Sequence, residues 1–340
     1  MEQEEIFDDL AERIQKMQDN AWELAQKKNP AATLKRGFHA KGTGVRARFE
    51  VKSDLPENLH IGLFQPGAVH DALVRFSNAR GEVYSDLAKD QRGIAIRIKT
   101  KPGENLAPDD TTNIQDFLMT NTPVSFARNP TQFIEVGEIL QGGVSRVLPR
   151  LVKKYGFKEA RRIMGVFLAP VISFKPLQMN HYWSRTSYQY GEHAIRYLIR
   201  PSSGSRTWST GRQLAEVLRS IFRDRVYREH YLHGKLQDAL REGEACFDFC
   251  IQLFVDEKKT PIEDAYIEWK ETDSPPIVVA TLILPQQELD AQLGDEIEKM
   301  AFNPWNTHEL HPLGLINLAR KKVYGASAGH RASRVDTRHP

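Results

Sequence analysis

Cysteine is scarce in this chain. Two thiols, Cys246 and Cys250, serve 340 residues. With no second pair and no histidine cluster beside them, they read as free structural thiols on one face of a strand, not as a zinc, redox or disulfide framework. That usage fits a reducing, cytoplasmic setting. Long apolar runs are missing too: stretches such as Ile277 to Leu284 are strand-sized, well under the roughly 20 residues a membrane helix needs, so no membrane span is expected. The N-terminus, Met1-Glu-Gln-Glu-Glu, is acidic where an export signal would be basic and then apolar. Charge is nearly balanced, with 47 Lys plus Arg against 44 Asp plus Glu. No dense basic block interleaved with aromatics stands out, so nucleic-acid binding is not indicated. Internal repeats and low-complexity segments are absent as well.

What is present is a change of period along the chain. Ile6, Leu10, Ile14, Met17, Ala21 and Leu24 recur at spacings of three and four until Asn29-Pro30, which predicts an amphipathic helix that packs on the body or on a neighbouring subunit. From about residue 43 to 100 the period becomes two, as in Val45, Ala47, Phe49 and Val51 alternating with Arg46, Arg48 and Glu50. Further strands are expected at 117–119, 194–199, 245–255 and 277–284, with helices over 129–167 and within 207–240. Spaced antiparallel-type strands with helices between them predict an α+β fold, a β-barrel with inserted and flanking helices. The expected division is the N-terminal amphipathic helix (1–29), one core (30–331) and a polar tail (332–340), with fraying after Gly329.

Three superficial motifs carry no chemistry. His308-Glu-Leu-His311 lacks the spacing of a zinc-protease helix and lies between prolines. Gly42-Thr-Gly44 enters a strand, where phosphate-cradling glycines would open a helix. His230 and His233 share a face with no third ligand near in sequence. Arg320 and Tyr324 are more suggestive: an i,i+4 pair on a helix puts a guanidinium beside a phenol, which favours the ionised form of the phenol as a hard anionic ligand for ferric iron. Taken alone, such a pair is more often a surface contact. The run Arg36-Gly-Phe-His39-Ala-Lys-Gly42-Thr-Gly44 sets a histidine and two glycines at close backbone approach. Taken alone it reads as a structural loop histidine.

In order along the chain stand Arg36 to Gly44, then Val74-Arg75-Phe76-Ser77, Asp90-Gln-Arg92-Gly93, Thr120-Asn-Thr-Pro123 leading to Phe133, and Arg320-Lys-Lys-Val-Tyr324. Together these resemble the catalase family of haem proteins from about Arg36 to Arg331. The resemblance implies an antiparallel eight-stranded β-barrel with haem b held against it, Tyr324 as proximal iron ligand and Arg320 as its partner. It implies His39 as the distal acid and base, oriented by Ser77, with Phe133 stacked on the distal face. Arg36, Arg75 and Arg331 become partners of the haem propionates, and Asp90 lines the substrate channel.

The chain also departs from the family pattern. Thr120 stands where catalases carry the distal asparagine, and offers one hydroxyl in place of an amide; Asn121 would point the other way on a strand. Gly37-Phe38 replaces two small β-branched residues before the distal histidine, making the pocket more apolar. The chain ends soon after Tyr324, so no NADPH site is expected, and a homo-oligomer would be a dimer in preference to an interlocked tetramer. The implied activity is a haem-dependent hydroperoxidase that reduces or dismutates hydrogen peroxide or an organic hydroperoxide through an oxoferryl intermediate. Peroxidase turnover with a small organic electron donor stands on an equal footing with catalase turnover. The alternatives are a fatty acid hydroperoxide-rearranging enzyme of the allene oxide synthase type, against which Phe38 counts, and a non-enzymatic haem carrier or sensor.

Overall fold

Alternation of apolar and polar residues fixes which side of each strand faces inward, and in this chain both sides end up covered. The computed structural model describes residues 2–88, 90–100, 113–141, 146–168, 175–203, 223, 225–308 and 310–336. Strands β1 (Gly42–Val51), β2 (Val69–Asn78), β3 (Arg92–Lys99), β4 (Ile114–Thr120), β5 (Tyr182–Trp183), β7 (His193–Pro201), β8 (Ala245–Leu253) and β9 (Ile277–Leu284) pair antiparallel in the ring order β1-β2-β3-β4-β5-β7-β8-β9. The ring closes because β9 returns to β1, with Phe49 opposite Leu282. This is the expected closed eight-stranded antiparallel barrel. Closure leaves no edge on the ring. Two short strands, β6 (Tyr188–Tyr190) and β10 (His311–Pro312), extend the sheet beside β7.

The inward face of the barrel is packed solid. Phe49, Phe64, Phe117, Tyr197 and Phe249 are fully buried and meet ring to ring, with Phe117 and Phe249 at 4.8 Å and Phe49 and Phe249 at 5.1 Å between centroids. Such pairs contribute about 0.5–1.5 kcal/mol each beyond their burial. A filled interior cannot hold a ligand, so any site must lie outside the wall. On β2, β3 and β4 the residues that alternate with the core set are Arg75 and Ser77, Gly93 and Ala95, and Leu118 and Thr120. These face outward, where helices cover them.

The covering helices are α1 (Glu2–Lys28), α2 (Pro130–Gln141), α3 (Val147–Leu168), α4 (Arg225–Glu229), α5 (Tyr231–Glu242), α6 (Ala291–Lys299) and α7 (Leu315–Asp336). The apolar stripe expected on α1 is used against the body: Leu10, Ile14 and Met17 pack with Ile134 of α2 and with Ala319 and Val323 of α7. Two helices fill the 129–167 region, and Gly156 leaves helical geometry within α3. Of the helical stretch expected within 207–240, α4 and α5 are present; residues 204–222 and 224 lie outside the described residues. No helix among the described residues is long and apolar enough to cross a membrane.

The structure differs from expectation at the C-terminal end. Helix α7 does not fray after Gly329 but continues to Asp336. His330 Nε2 lies 2.8 Å from Asp19 Oδ1 on α1, and Arg334 reaches the same carboxylate at 3.9 Å, so tertiary pairing holds a stretch that two glycines would otherwise weaken. Cys246 and Cys250 are not joined in a disulfide and share the outward side of β8. Burial, aided in the case of Cys246 by Glu244, pushes both thiols up to about 11, which keeps them protonated and unreactive.

Candidate functional site

Between the outer wall of the barrel and helices α1, α2 and α7 lies a cavity of about 710 Å³, within the roughly 300–1,000 Å³ typical of small-molecule sites. All nine site residues read from the sequence, His39, Ser77, Thr120, Arg36, Arg75, Phe133, Arg320, Tyr324 and Arg331, line this one cavity, together with Asp90.

His39 is held at one end by the loop before β1. Its backbone takes a left-handed conformation, φ 58°, unusual for a residue with a Cβ and tolerated where surrounding bonds enforce it. Here His39 N donates to Ala79 O and Ala40 N to Arg80 O, each at 2.9 Å. The ring then sits with Nδ1 2.9 Å from Ser77 Oγ. Gly93, paired with Ser77 across β2 and β3, makes this possible: a Cβ there would lie 2.7 Å from the imidazole and 2.8 Å from Ser77 Oγ. Burial, then the charges of Arg75, Arg185, Arg36 and Arg320, push the imidazole down to about 3. His39 is therefore neutral at physiological pH.

The glycines after His39 serve close approach. A Cβ at Gly42 would meet the Arg75 guanidinium at 2.6 Å, and one at Gly44 would meet Ile297 of α6 at 2.8 Å. The second contact seats α6 against β1, and so delivers Glu298. This carboxylate, absent from the sequence-based set, receives Arg36 Nη1 at 2.6 Å and Arg75 Nε at 2.8 Å. Burial alone would raise Glu298, but Arg75 and Arg36 outweigh it and hold the carboxyl below its usual range. Arg331, on α7, feels the same carboxylate. Two guanidiniums thus bond one carboxylate, and a third, Arg331, lies within reach of its charge. Burial, with the like charge of Arg75, drives Arg36 well below the ordinary arginine range, so this end of the cavity favours further negative charge.

Tyr324 stands on α7, one turn after Arg320. Arg320 Nη2 donates to Tyr324 OH at 3.4 Å, and its Cζ lies 5.2 Å from the ring centroid. The same guanidinium is anchored through Nη1 to Asn317 Oδ1 at 3.0 Å, Thr186 Oγ1 at 3.1 Å and Tyr188 OH at 3.3 Å. Burial works against its charge, yet the oxygens of Tyr324 and Tyr188 prevail and raise it above the ordinary value. Among the described residues no group of three His, Cys, Asp or Glu could hold a metal.

The remaining positions shape the cavity. Phe133 stacks on Phe126 at 4.7 Å and meets Phe38 edge-on at 5.2 Å, so the phenyl ring of Phe38 does form part of an apolar wall. Thr120, 6 % exposed, has its hydroxyl 3.4 Å from Thr122 Oγ1. Asn121 is turned away from the cavity, its Oδ1 accepting from Arg92 N at 2.8 Å. Burial raises Asp90, which accepts from Arg80 N at 3.1 Å.

A family model described as Catalase matches residues 8–149. Catalase A of Pseudomonas putida is 26 % identical over 318 residues, covering 89 % of this chain and 62 % of that protein. A Staphylococcus epidermidis catalase is 24 % identical over 287 residues, covering 80 % of this chain and 53 % of the relative. A shorter match, to Catalase C of Rhizobium meliloti, is 35 % identical over 117 residues, 34 % of this chain and 15 % of that one. The chain therefore spans only part of the length of the curated relatives it matches. Among solved structures, a fungal catalase superposes with a TM-score of 0.68 at 18 % identity, over 91 % of this chain and 61 % of its own. Catalase A from Saccharomyces cerevisiae gives 0.66 at 19 %, over 91 % and 63 %. The barrel, the family model matched over residues 8–149 and relatives that run through most of the chain agree, and together they support membership of the catalase family.

Proposed function

We propose that this protein is a haem-dependent hydroperoxidase acting on hydrogen peroxide or an organic hydroperoxide. The observation that carries the reading is the convergence, in one cavity, of a neutral histidine fixed by a serine, a tyrosine paired with an arginine, and three arginines around a single carboxylate. The residues fit haem b. Arg36, Arg75 and Arg331 line the cavity with Glu298 as the carboxylate that Arg36 and Arg75 bond, an excess of positive charge that suits a ligand with two carboxylates. Tyr324 would hold the iron, Arg36, Arg75 and Arg331 the propionates, and Phe133 the ring face. Haem, when bound, supplies the electrons that cleave the O–O bond.

The protein's own part is proton movement and exclusion of water. For His39 Nε2 to present a lone pair to the cavity, Nδ1 must carry the proton and donate it to Ser77 Oγ. Nε2 then accepts the proton of the peroxide oxygen nearest it and returns that proton to the departing oxygen as water or alcohol. Ser77 fixes the ring angle, and Gly93 supplies the space. Gly93→Ala is expected to displace the imidazole, retain the fold and haem, and slow peroxide consumption on the order of 10²-fold. Stopped-flow mixing with peroxide would measure it.

Thr120 and the apolar wall of Phe38 and Phe133 bear on substrate choice. One hydroxyl already shared with Thr122 orients hydrogen peroxide less firmly than an amide would, while the aromatic wall accepts a carbon chain. The test is a steady-state comparison of hydrogen peroxide with cumene hydroperoxide in wild type and Thr120→Asn, after loading with haem. We expect Thr120→Asn to shift the kcat/KM ratio toward hydrogen peroxide by about tenfold, near the yield of one good hydrogen bond. Absence of a Soret band in the wild type would end the proposal.

A further inference from the structure

Arg185, which lines the cavity, has no part in the pairings described above. Arg185 lies between β5 and β6 with a left-handed backbone, φ 61°, a strained setting for a residue with a Cβ. Its neighbours hold that strain in place. Ser184 Oγ donates to Thr186 O at 2.9 Å and accepts from Tyr197 N at 3.2 Å, and Thr186 Oγ1 takes the bond from Arg320 Nη1. The twist sends the Arg185 side chain into the cavity wall beside Arg320. There its Nη1 is shut off from solvent without a hydrogen-bond acceptor among the described residues.

An enclosed, unpartnered guanidinium nitrogen is costly and calls for an explanation. Glu298 does not supply one, since it is taken by Arg36 and Arg75. Burial, then the like charge of Arg320, lowers Arg185 to about 10, and the oxygen that works in the opposite direction is that of Tyr324. Arg185 is the chain neighbour of Thr186, which holds the Arg320 guanidinium that contacts the phenol of Tyr324, and all three side chains, Arg185, Arg320 and Tyr324, line the same cavity. The charge of Arg185 is felt at His39 as well.

We propose that Arg185 is a positioning cation for Tyr324, which adds a second guanidinium charge to the wall where Arg320 holds the phenol oxygen, and so weakens that oxygen as an electron donor to iron. This role rests on the reading that Tyr324 ligates haem iron. Residues around a ligand tune the metal through the charge they place on it, and in an enclosed site that influence is little screened. The iron should be easier to reduce than with Arg320 alone. An iron that is easier to reduce is also, in its oxidised states, a stronger oxidant toward small organic donors.

The test is the ferric/ferrous midpoint potential of haem-loaded wild type, Arg185→Leu and Arg185→Lys by spectroelectrochemistry. We expect Arg185→Leu to keep its Soret band and move to lower potential, and Arg185→Lys to stay near wild type because the charge is kept. An unchanged or raised potential in Arg185→Leu overturns the role, as does an equal shift in both variants, which would mark shape in place of charge. Should Arg185→Leu fail to fold, Arg185→Gln and Arg185→Met keep the stem and carry the same comparison. Failure of the wild type to bind haem shows in the Soret band before any potential is measured, and overturns the assignment of Tyr324 together with this role. A bound haem with an indifferent Arg185 overturns this role alone.

Discussion

Tyr324→Phe is expected to give a folded protein without a Soret band after incubation with haem. The substitution removes one oxygen and keeps the ring. Arg320 stays in place because its Nη1 is held by Asn317, Thr186 and Tyr188, so the haem-free variant should melt within about 1 kcal/mol of wild type, the net worth of an ordinary hydrogen bond. What disappears is the ligand. In wild type, haem at about 100 times its dissociation constant would add roughly 2.7 kcal/mol of stability, visible as a rise in Tm. In Tyr324→Phe that rise should vanish with the band. A wild-type Soret band in the variant would mean that iron is held elsewhere.

The second large effect is at His39. His39→Ala should bind haem as wild type does, since Tyr324, the three arginines and Phe133 are untouched, yet lose about 10²–10⁴-fold in the rate of peroxide consumption, the usual share of a positioned acid and base. The pH profile adds a sign. With the imidazole pushed down to about 3 by burial and four arginines, the base form persists in the folded protein far below the ordinary histidine midpoint. Wild-type rates should accordingly stay flat from about pH 8 to about pH 5, without the acid limb near 6.5 that an exposed histidine would give. The same depression links to stability: between about pH 6.5 and 3 the unfolded chain binds a proton at this position that the folded one refuses, so folding weakens as pH falls through that window. A kinetic midpoint near 6.5 that disappears in His39→Ala would refute the electrostatic account.

Much of this was legible in the sequence because it is locally encoded. His39 sits in a run whose glycines mark close approach, Arg320 and Tyr324 are one helical turn apart, and the alternation of β1 to β4 sorts core from wall residue by residue. Other features were not legible, for physical reasons. Strand β5 has two residues, too few to show a period. Glu298 lies 262 residues from Arg36 and 223 from Arg75, and on an amphipathic helix it looks like any solvated glutamate until α6 docks over Gly44. Arg185 in an aromatic stretch reads as a surface strand residue, since nothing in its side chain announces a left-handed backbone. Helix α7 outlasts Gly325 and Gly329 because Asp19, from the other end of the chain, pairs with His330 and Arg334.

Those α1 to α7 contacts carry a consequence for how the molecule comes to be. Gln15 of α1 donates to Ala326 O of α7, 311 residues away. Helix α1 leaves the ribosome long before α7 and is thus among the last elements to find its full set of contacts. Until α7 exists, the apolar stripe of α1 has lost one of its two partners, and the side of the cavity that Leu10, Ile14 and Met17 will wall stays unsealed. Synthesis itself therefore holds a door open on the outer face of a barrel whose strands, all earlier in the chain than α7, can already have closed.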